Sequence, residues 1–208
     1  TLEYHHMNEF RRGGDSLSRP PHEASVAEQV KHKINGGGVK LDLNSKNYKH
    51  RVSIFTSAQK IVRDSYFGTN NDLSAYGKTD DITLSAGTQY SLNIKRLLFL
   101  PSEFTAGIEY NYNYLKDAML GYNRSIDQKT YTYGGYIQNE WKNEHLSILL
   151  GLRFDKHNLI AKPIFSPRFN IRYNPAKWVS LRGSYAEGFR APQAFDEDLH
   201  VTAAGGVM

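Results

Sequence analysis

The sequence predicts an all-β protein with about nine strands in an antiparallel up-and-down meander that forms part of a transmembrane β-barrel. Three observations lead to this fold class. Apolar and polar residues alternate along most segments, the connections alternate in length, and tryptophans and tyrosines lie at opposite ends of the segments. Because successive side chains of a strand point to opposite faces, the alternation describes a sheet with one apolar and one polar face.

We expect nine strands, with the clearest alternation in the later ones. Within 103–116, Phe104 and Ile108 alternate with Thr105 and Glu109. The second and third segments are more mixed, and the Gly36-Gly37-Gly38 run predicts a bulge, a bend or a hairpin there. The expected strands are, in order, residues 1–10, 24–44, 48–66, 80–95, 103–116, 130–142, 145–157, 165–174 and 178–187.

The expected connections alternate between long and short. Residues 11–23, 67–79 and 117–129 are read as long polar connections, whereas 45–47 and 174–177 are short turns. In a meander every second connection lies on the same rim, so one rim carries short turns and the other carries long loops. This asymmetry is typical of outer-membrane barrels, whereas a Greek-key sandwich has no reason to keep it.

The positions of the aromatic residues are consistent with a sheet that spans the two interfaces of a membrane. Trp141 and Trp178 each lie beside a short turn, and Tyr110, Tyr131 and Tyr133 lie near the opposite strand ends. Amphipathic rings at two levels are typical of the two interfaces of a bilayer. The same rings could also fill a soluble core, but together with the connection lengths they favour a membrane barrel.

Composition excludes several other classes. The longest apolar run is the four residues 97–100, far short of the ~20 that a transmembrane helix needs, whereas a barrel strand needs only ~9–11 residues with every second one apolar. The absence of cysteine excludes disulfides, thiolate metal sites and a cysteine nucleophile. The net charge of +5 is spread along the chain, so no nucleic-acid-binding arm is indicated.

The segment 183–192 carries the most specific motif. Its sequence, Gly-Ser-Tyr-Ala-Glu-Gly-Phe-Arg-Ala-Pro, is followed by the acidic stretch 196–199 and resembles the barrel region of bacterial TonB-dependent outer-membrane receptors, in the style of those from Bacteroidetes-type bacteria. Weaker similarities lie at 10–15, 65–68, 107–110 and 165–168. The positions that match the family motif are Gly188, Phe189, Arg190, Ala191 and Pro192.

The resemblance implies a nutrient receptor of the bacterial outer membrane rather than an enzyme. Receptors of this family hold a plug domain inside a barrel of about 22 strands, which energy relayed through TonB opens. The implied nutrient is a siderophore, cobalamin, haem or a glycan, and the implied partners are the plug, the TonB system and membrane lipid, with no nucleic acid and no cofactor. Residues 1–208 are therefore expected to be a partial barrel of a larger receptor, without its plug domain or TonB-contacting segment.

Four residues in the expected loops are candidates for ligand contact. Aromatic and guanidinium groups bind sugars, chelates and macrocycles equally, so these residues do not name the ligand. The candidates are Tyr66, Tyr76, Tyr122 and Arg124. A second set falls on the polar face of the last two strands and would line a polar lumen or a solvated surface: Arg168, Asn170, Arg172, Ser180, Arg182 and Ser184.

No metal site or catalytic group is predicted. His5 and His6 are adjacent on an expected strand, so they point to opposite faces and cannot easily hold one ion. The carboxylates at 80–81 and 196–198 lack the spaced oxygens and turn glycine of a calcium loop. Glu109 and Glu140 are isolated, and the sequence has no Gly-x-Ser-x-Gly elbow.

Two other architectures remain open at this point. A soluble, secreted β-sandwich that binds carbohydrate or protein would bury the apolar residues between two sheets. A passive porin or adhesin barrel would keep the lipid-facing wall but would have no plug-like domain upstream. An open, curved meander with Leu150, Leu152 and Phe154 on its outer face would favour the receptor.

Overall fold

The computed structural model describes residues 1–119 and 123–191, and it contains all nine predicted strands. Two 3-10 helices, Pro21–Glu23 and Leu73–Ala75, lie in connections, and no helix of the described residues is long and apolar enough to cross a membrane. The strands are β1 (Leu2–Gly14), β2 (Val26–Asn44), β3 (His50–Thr69), β4 (Tyr76–Leu97), β5 (Leu100–Met119), β6 (Arg124–Lys142), β7 (Leu146–His157), β8 (Ile164–Ala176) and β9 (Val179–Ala186).

The nine strands form one antiparallel sheet in which each strand pairs with the next along the chain. The sheet order is β1 to β9, and within the described residues β1 and β9 do not pair with each other. The predicted up-and-down meander is therefore confirmed, as an open arc. The β-sandwich alternative is not favoured, because the described part of the chain has one sheet and a sandwich needs two.

The register assigns every strand residue to an apolar or a polar face. In β7, Leu150, Leu152 and Phe154 lie on the apolar face with 48%, 43% and 40% of their surface exposed, while Arg153 and Asp155 lie on the polar face. On the apolar face, each of the strands β4 to β8 has a stretch without any charged side chain. These stretches are, in strand order, Ile82 to Ile94, Phe104 to Tyr114, Tyr131 to Trp141, Leu146 to Phe154 and Phe165 to Tyr173. An uncovered apolar face of this extent is what a lipid-facing wall requires.

The strands near the long-connection rim are longer than predicted. The expectation of long loops at 67–79 and 117–129 is wrong, because β3 continues to Thr69 and β5 to Met119. Residues of these stretches follow the cross-strand register, as Lys78 does by lying opposite Asp64. A strand of 20 residues tilted by about 45° rises about 45 Å, so these hairpins extend beyond the ~25 Å apolar band of an outer-membrane barrel.

The two rims nevertheless keep the predicted asymmetry. The connections at one rim are 15–25, 70–75, 120–123 and 158–163, and those at the other rim are 45–49, 98–99, 143–145 and 177–178. We call these the loop-bearing rim and the short-turn rim. Each connection at the short-turn rim is shorter than any connection at the loop-bearing rim that comes directly before or after it in the chain, as in outer-membrane barrels.

The run of three glycines lies inside β2, and the expected bulge, bend or hairpin is wrong. The ladders from β2 to both neighbours pass through these residues without a register shift. A Cβ at Gly36 would collide with the His5 imidazole, and one at Gly37 would lie 2.8 Å from the Glu3 carbonyl oxygen. Glycine is needed here because neighbouring atoms approach closely, while the backbone remains regular.

Aromatic side chains mark two levels on the apolar face. At the short-turn rim, the Trp141 indole nitrogen donates to the Leu97 carbonyl at 3.0 Å and its ring stacks on Phe99. At the other level, the Tyr133 ring lies 5.0 Å from Tyr110 and 5.9 Å from Tyr131. The ten-residue step from Tyr131 to Trp141 spans about 33 Å along the strand, or about 23 Å of height at a 45° tilt, which matches the ~25 Å apolar band.

Candidate functional site

The polar face near the loop-bearing rim holds a cluster of four side chains, which we call the arginine cluster: Arg63, Thr79, Asp117 and Arg124. The register places Arg63 opposite Thr79, and Thr79 opposite Asp117. The Arg63 Nε donates to Thr79 Oγ1 at 3.1 Å, and the Thr79 hydroxyl donates to Asp117 Oδ1 at 2.6 Å. Arg63 Nη2 and Arg124 Nε approach the two oxygens of that carboxylate at 3.7 and 3.6 Å.

Burial separates Arg124 from the rest of the cluster. Arg63, Thr79 and Asp117 are 1%, 0% and 5% exposed, whereas the Arg124 side chain is 21% exposed. Buried charges are stable only when they are paired and hydrogen-bonded, and here one carboxylate lies between two guanidinium groups. The buried members therefore hold the base of the cluster, and Arg124 is the member that reaches its surface.

The polar row continues across the first two strands. His32 lies opposite Arg63, and Glu9 lies opposite His32, so one row of directly opposed residues runs through five strands. The His32 ring nitrogen lies 3.0 Å from a Glu9 carboxylate oxygen, and Arg11 Nε lies 3.2 Å from the other oxygen. The row gives the loop-bearing half of the polar face a fixed set of charged groups.

A second polar network lies deeper on the same face. Arg153 makes two bonds to the Asp155 carboxylate at 2.8 and 2.9 Å, and a third to Glu109 at 2.8 Å. This last contact passes over β6 at Gly134, where a Cβ would lie 2.6 Å from Arg153 Nη2. Glu109 is thus paired with a cation two strands away, although nothing in the sequence alone marks it as paired.

A similar contact crosses β5. The Tyr136 hydroxyl donates to Gln89 Oε1 at 2.7 Å, with the ring lying over Gly107. A Cβ at Gly107 would lie 2.5 Å from the ring, so glycine makes this crossing possible. Side chains that bridge alternate strands give the polar face a rigid surface at mid-depth.

Tyr66 and Tyr76 lie on the opposite face from Arg124. They are directly opposed at the ends of β3 and β4 rather than in a loop, with ring centroids 4.8 Å apart. Tyr66 is fully buried against Ala24, Ala27 and Ala75, and this burial raises the pKa of its hydroxyl. The Tyr76 hydroxyl, by contrast, lies 2.9 Å from a His22 ring nitrogen. The structure therefore brings these two tyrosines together but separates them from the arginine cluster.

Other predicted positions fall partly beyond the described part of the chain. Tyr122 and Pro192 lie outside the described residues, as does the acidic stretch 196–199. Gly188, Phe189, Arg190 and Ala191 follow β9 without regular structure. The amide of Glu187 donates to the Pro167 carbonyl at 3.1 Å, which ties the start of this segment to β8.

The polar set predicted on the last two strands shares one face. Asn170 lies opposite Ser184 and Arg172 lies opposite Arg182, both on the side of Arg153. His5 and His6 point to opposite faces, and the His6 ring nitrogen lies 2.7 Å from Asn35 Oδ1. Within residues 1–119 and 123–191, no group of three or more His, Asp or Glu side chains is placed to hold a metal ion.

Sequence reasoning missed Arg63, Thr79 and Asp117. Thr79 and Asp117 fall in stretches that were expected to be loops, so their faces were not considered. The sequence gives only one indication of their face, which is an even spacing from other residues of the same strand. Arg63, for example, is two residues before Ser65 and ten after Ser53, and both serines lie on the polar face. Pairing them requires the register, which no single strand encodes.

Comparison with known proteins identifies the family. The family model described as TonB dependent receptor-like, beta-barrel, matches residues 8–206. The chain belongs to this TonB-dependent receptor β-barrel family. Proteins of the family are transporters of the bacterial outer membrane rather than enzymes, and the family implies a plug domain and an interaction with TonB. No curated protein gives a significant match.

Solved receptor structures share the fold. The siderophore receptor PirA from Acinetobacter baumannii superposes with a TM-score of 0.62 at 17% identity, over 81% of this chain and 26% of that one. A mutant of the ferric enterobactin receptor PfeA from Pseudomonas aeruginosa gives a TM-score of 0.54 at 16% identity, over 88% of this chain and 36% of that one. This chain thus spans about a quarter to a third of the length of these solved chains, and the similarity is one of fold.

Proposed function

We propose that this chain is part of an outer-membrane receptor that captures a scarce nutrient and imports it by a TonB-driven mechanism. The observation that carries the proposal is the two-faced, open meander that matches the receptor family over residues 8–206. Its apolar face is uncovered between two aromatic levels, as a bilayer requires. Its polar face carries paired charges that suit a wet or protein-filled interior.

In this proposal, the polar face lines the interior of a larger barrel, and the loop-bearing rim lies outside the cell. The plug domain and the TonB-contacting segment belong to other parts of the same receptor. Ligand is captured at the loop-bearing rim, where Arg124 lies at the surface of the arginine cluster. Movement of the plug then opens a path along the polar face, whose own side chains are held in place by cross-strand bonds.

Arg124 and Tyr122 are the proposed ligand contacts at the β5–β6 hairpin. A guanidinium group binds anionic groups well, because its planar donors match carboxylate and similar oxygens. An anionic metal chelate is therefore the first nutrient class to test, followed by cobalamin, haem and a glycan. Tyr66 and Tyr76, on the other face, remain predicted ligand contacts, and alanine variants of them can be tested in the nutrient-binding measurement described below for Arg124.

The first experiment tests import. The full-length receptor is expressed in a strain that lacks its own copy, and growth is measured with each nutrient class as the limiting source, with and without TonB. We expect one class to support growth only when both receptor and TonB are present. Growth that needs the receptor but not TonB would instead support the passive porin alternative.

The second experiment tests the site. Arg124→Ala in the full-length receptor should weaken nutrient binding about tenfold or more, since a hydrogen bond to a charged group contributes ~1.5–3 kcal/mol. Arg124→Lys should recover part of the affinity. Arg182→Ala, on the same face near the short-turn rim, is the matched control and should leave binding unchanged. Equal losses in Arg124→Ala and Arg182→Ala would remove Arg124 from the site.

A further inference from the structure

The polar face of β8 and β9 carries three arginines on strands that contain no acidic residue. By register, Arg172 lies directly opposite Arg182, and Arg168 precedes Arg172 by four residues on the same face of β8. From Ile164 to Ala186 the sequence has no aspartate or glutamate. We call this set the β8–β9 arginines: Arg168, Arg172 and Arg182.

Elsewhere on the polar face, arginines are neutralised by the protein itself. Each arginine that the register places on this face of β1 to β7 forms a salt bridge with a carboxylate: Arg11, Arg51, Arg63, Arg124 and Arg153. The β8–β9 arginines form no salt bridge with any of the residues that the structure describes. The difference sets these three side chains apart from the rest of the face.

The pairing of Arg172 with Arg182 is unfavourable without an anion. Like charges directly opposite each other on neighbouring strands destabilise a sheet. The Nε of Arg172 is also buried, and no atom of the described residues accepts a hydrogen bond from it. A buried donor without an acceptor costs free energy. An anion that contacts both guanidinium groups would offset the charge repulsion and bring acceptor oxygens to this site.

The carboxylates on the adjoining strands are already engaged. Ser147 lies opposite Arg172, and its hydroxyl donates to Glu140 Oε1 at 2.8 Å. The Lys142 ammonium lies 3.4 Å from the other oxygen of Glu140 and 3.7 Å from a Glu103 oxygen. These carboxylates therefore neutralise Lys142, and an anion for the β8–β9 arginines has to come from outside the described sheet.

A polar cleft of about 550 Å³ lies on the same face. Its lining includes Arg168, Asn170 and Ser184. Asn170 is two residues from Arg172, and Ser184 is two residues from Arg182, so the cleft borders the opposed pair. Hydroxyl and amide groups donate hydrogen bonds to oxygen acceptors. The cleft therefore places uncharged donors next to the guanidinium groups.

Resting on the proposed function, in which the polar face lines the interior of the receptor, we propose that the β8–β9 arginines bind a polycarboxylate nutrient on its way to the short-turn rim. Planar guanidinium donors match carboxylate oxygens, and two opposed cations favour an anion with more than one charge. Arg172 and Arg182 lie within five residues of the turn at 177–178, whereas Arg124 lies at the opposite rim. The site is thus separate from the one proposed for capture.

The first test measures anion binding to the full-length receptor in detergent micelles, with citrate as the probe. The pair variant combines Arg172→Gln and Arg182→Gln. Each hydrogen bond to a charged group is worth about tenfold in affinity or more, so the pair variant should bind citrate at least about tenfold more weakly. Arg172→Lys with Arg182→Lys should recover part of the affinity. The matched control, Lys46→Gln with Lys177→Gln, removes the same charge from two exposed turns and should change affinity less than about twofold.

The second test measures import in cells, using the nutrient that supports growth. The pair variant should import it at least about tenfold more slowly, while capture in cells without TonB stays within about twofold, because the plug then separates the two sites. The turn control should import at the wild-type rate. Import by the pair variant at the wild-type rate would overturn the proposal and leave the proposed function standing.

An acidic side chain of the plug offers the same chemistry as the nutrient, and the two tests separate these sources. If the plug fills the site, wild-type receptor should not bind citrate, and the pair variant should admit large antibiotics that the outer membrane normally excludes. That result would overturn the proposal. Citrate dissociation constants that are equal in wild type and pair variant would also overturn it. Citrate binding that requires the pair, in a receptor that imports no nutrient, would support the anion site and overturn the proposed transport.

Discussion

The two faces of the loop-bearing half hold positive charge in different ways. On the polar face, Arg63 and Arg153 are fixed by carboxylates, and Arg63 is almost fully buried. On the apolar face, lysines such as Lys78 and Lys116 are exposed and form no salt bridge within the described residues. A guanidinium group suits a buried, directed pairing, whereas a flexible ammonium group suits a mobile, hydrated boundary.

The contrast teaches that each face is matched to a different medium. On the polar face, Arg63 and Arg153 are satisfied by carboxylates within the protein, so these two groups need no partner from a plug, a ligand or water. The apolar face is free of charge between its aromatic levels from β4 to β8 and becomes basic beyond them. The same kind of substitution should therefore lower the free energy of unfolding by different amounts on the two faces.

The largest expected effect comes from placing a charge in the apolar band. Leu152→Arg should lower the free energy of unfolding by ~2–4 kcal/mol, because it puts a cation near the middle of the hydrocarbon. Ser184→Arg, on the polar face, should cost less than ~1 kcal/mol. Both are measured by urea unfolding of the full-length receptor in lipid vesicles. Similar losses for the two variants would contradict a lipid-facing assignment of the apolar face.

An intermediate effect is expected from two adjacent glycines on opposite faces. Gly134→Ala should destabilise by ~1–3 kcal/mol, because the new methyl group would lie 2.6 Å from Arg153 Nη2 and 2.7 Å from Asp155 Oδ1. At Gly135, the nearest atom to a new methyl group is 3.9 Å away, so Gly135→Ala should be neutral within ~0.5 kcal/mol. The same unfolding measurement applies, and a larger loss at Gly135 would invert the face assignment.

The smallest effect is expected at the short-turn rim. Trp141→Phe keeps an aromatic ring but loses the bond from the indole nitrogen to the Leu97 carbonyl, which should cost ~1 kcal/mol. Trp178 is 87% exposed, so Trp178→Phe should change stability by less than ~0.5 kcal/mol. Comparing the two urea midpoints tests whether the hydrogen bond stabilises this rim. Equal midpoints would leave both tryptophans as interfacial side chains only.

The alternation of residues was sufficient to predict the strands and their faces. Leu150, Leu152 and Phe154 fall on the exposed apolar side as expected, because a period of two is imposed by the backbone itself. The same parity places Tyr66 on the side of Ile54, twelve residues earlier in β3. That position was therefore accessible to sequence reasoning, and choosing Tyr66 as a loop residue overlooked it.

Strand ends and cross-strand partners were not predictable in the same way. The polar stretches after Ser65 and before Asp127 have the composition of loops, yet they continue as hairpins because each strand offers the other its backbone hydrogen bonds. The pairing of Arg63 with Asp117 spans three strands and depends on two registers at once. Since register is a property of the assembled sheet, one sequence could not give the arginine cluster.

The sequential strand order has a consequence for how this chain is made. Every ladder joins neighbours in sequence, from β1–β2 to β8–β9, so forming each one closes only a single hairpin loop. Local pairings of this kind keep the contact order of a β-structure low and reduce the entropy that must be lost before the next contact forms. Assembly can then proceed one hairpin at a time, with the unpaired edge of the growing sheet serving as the template for the next strand.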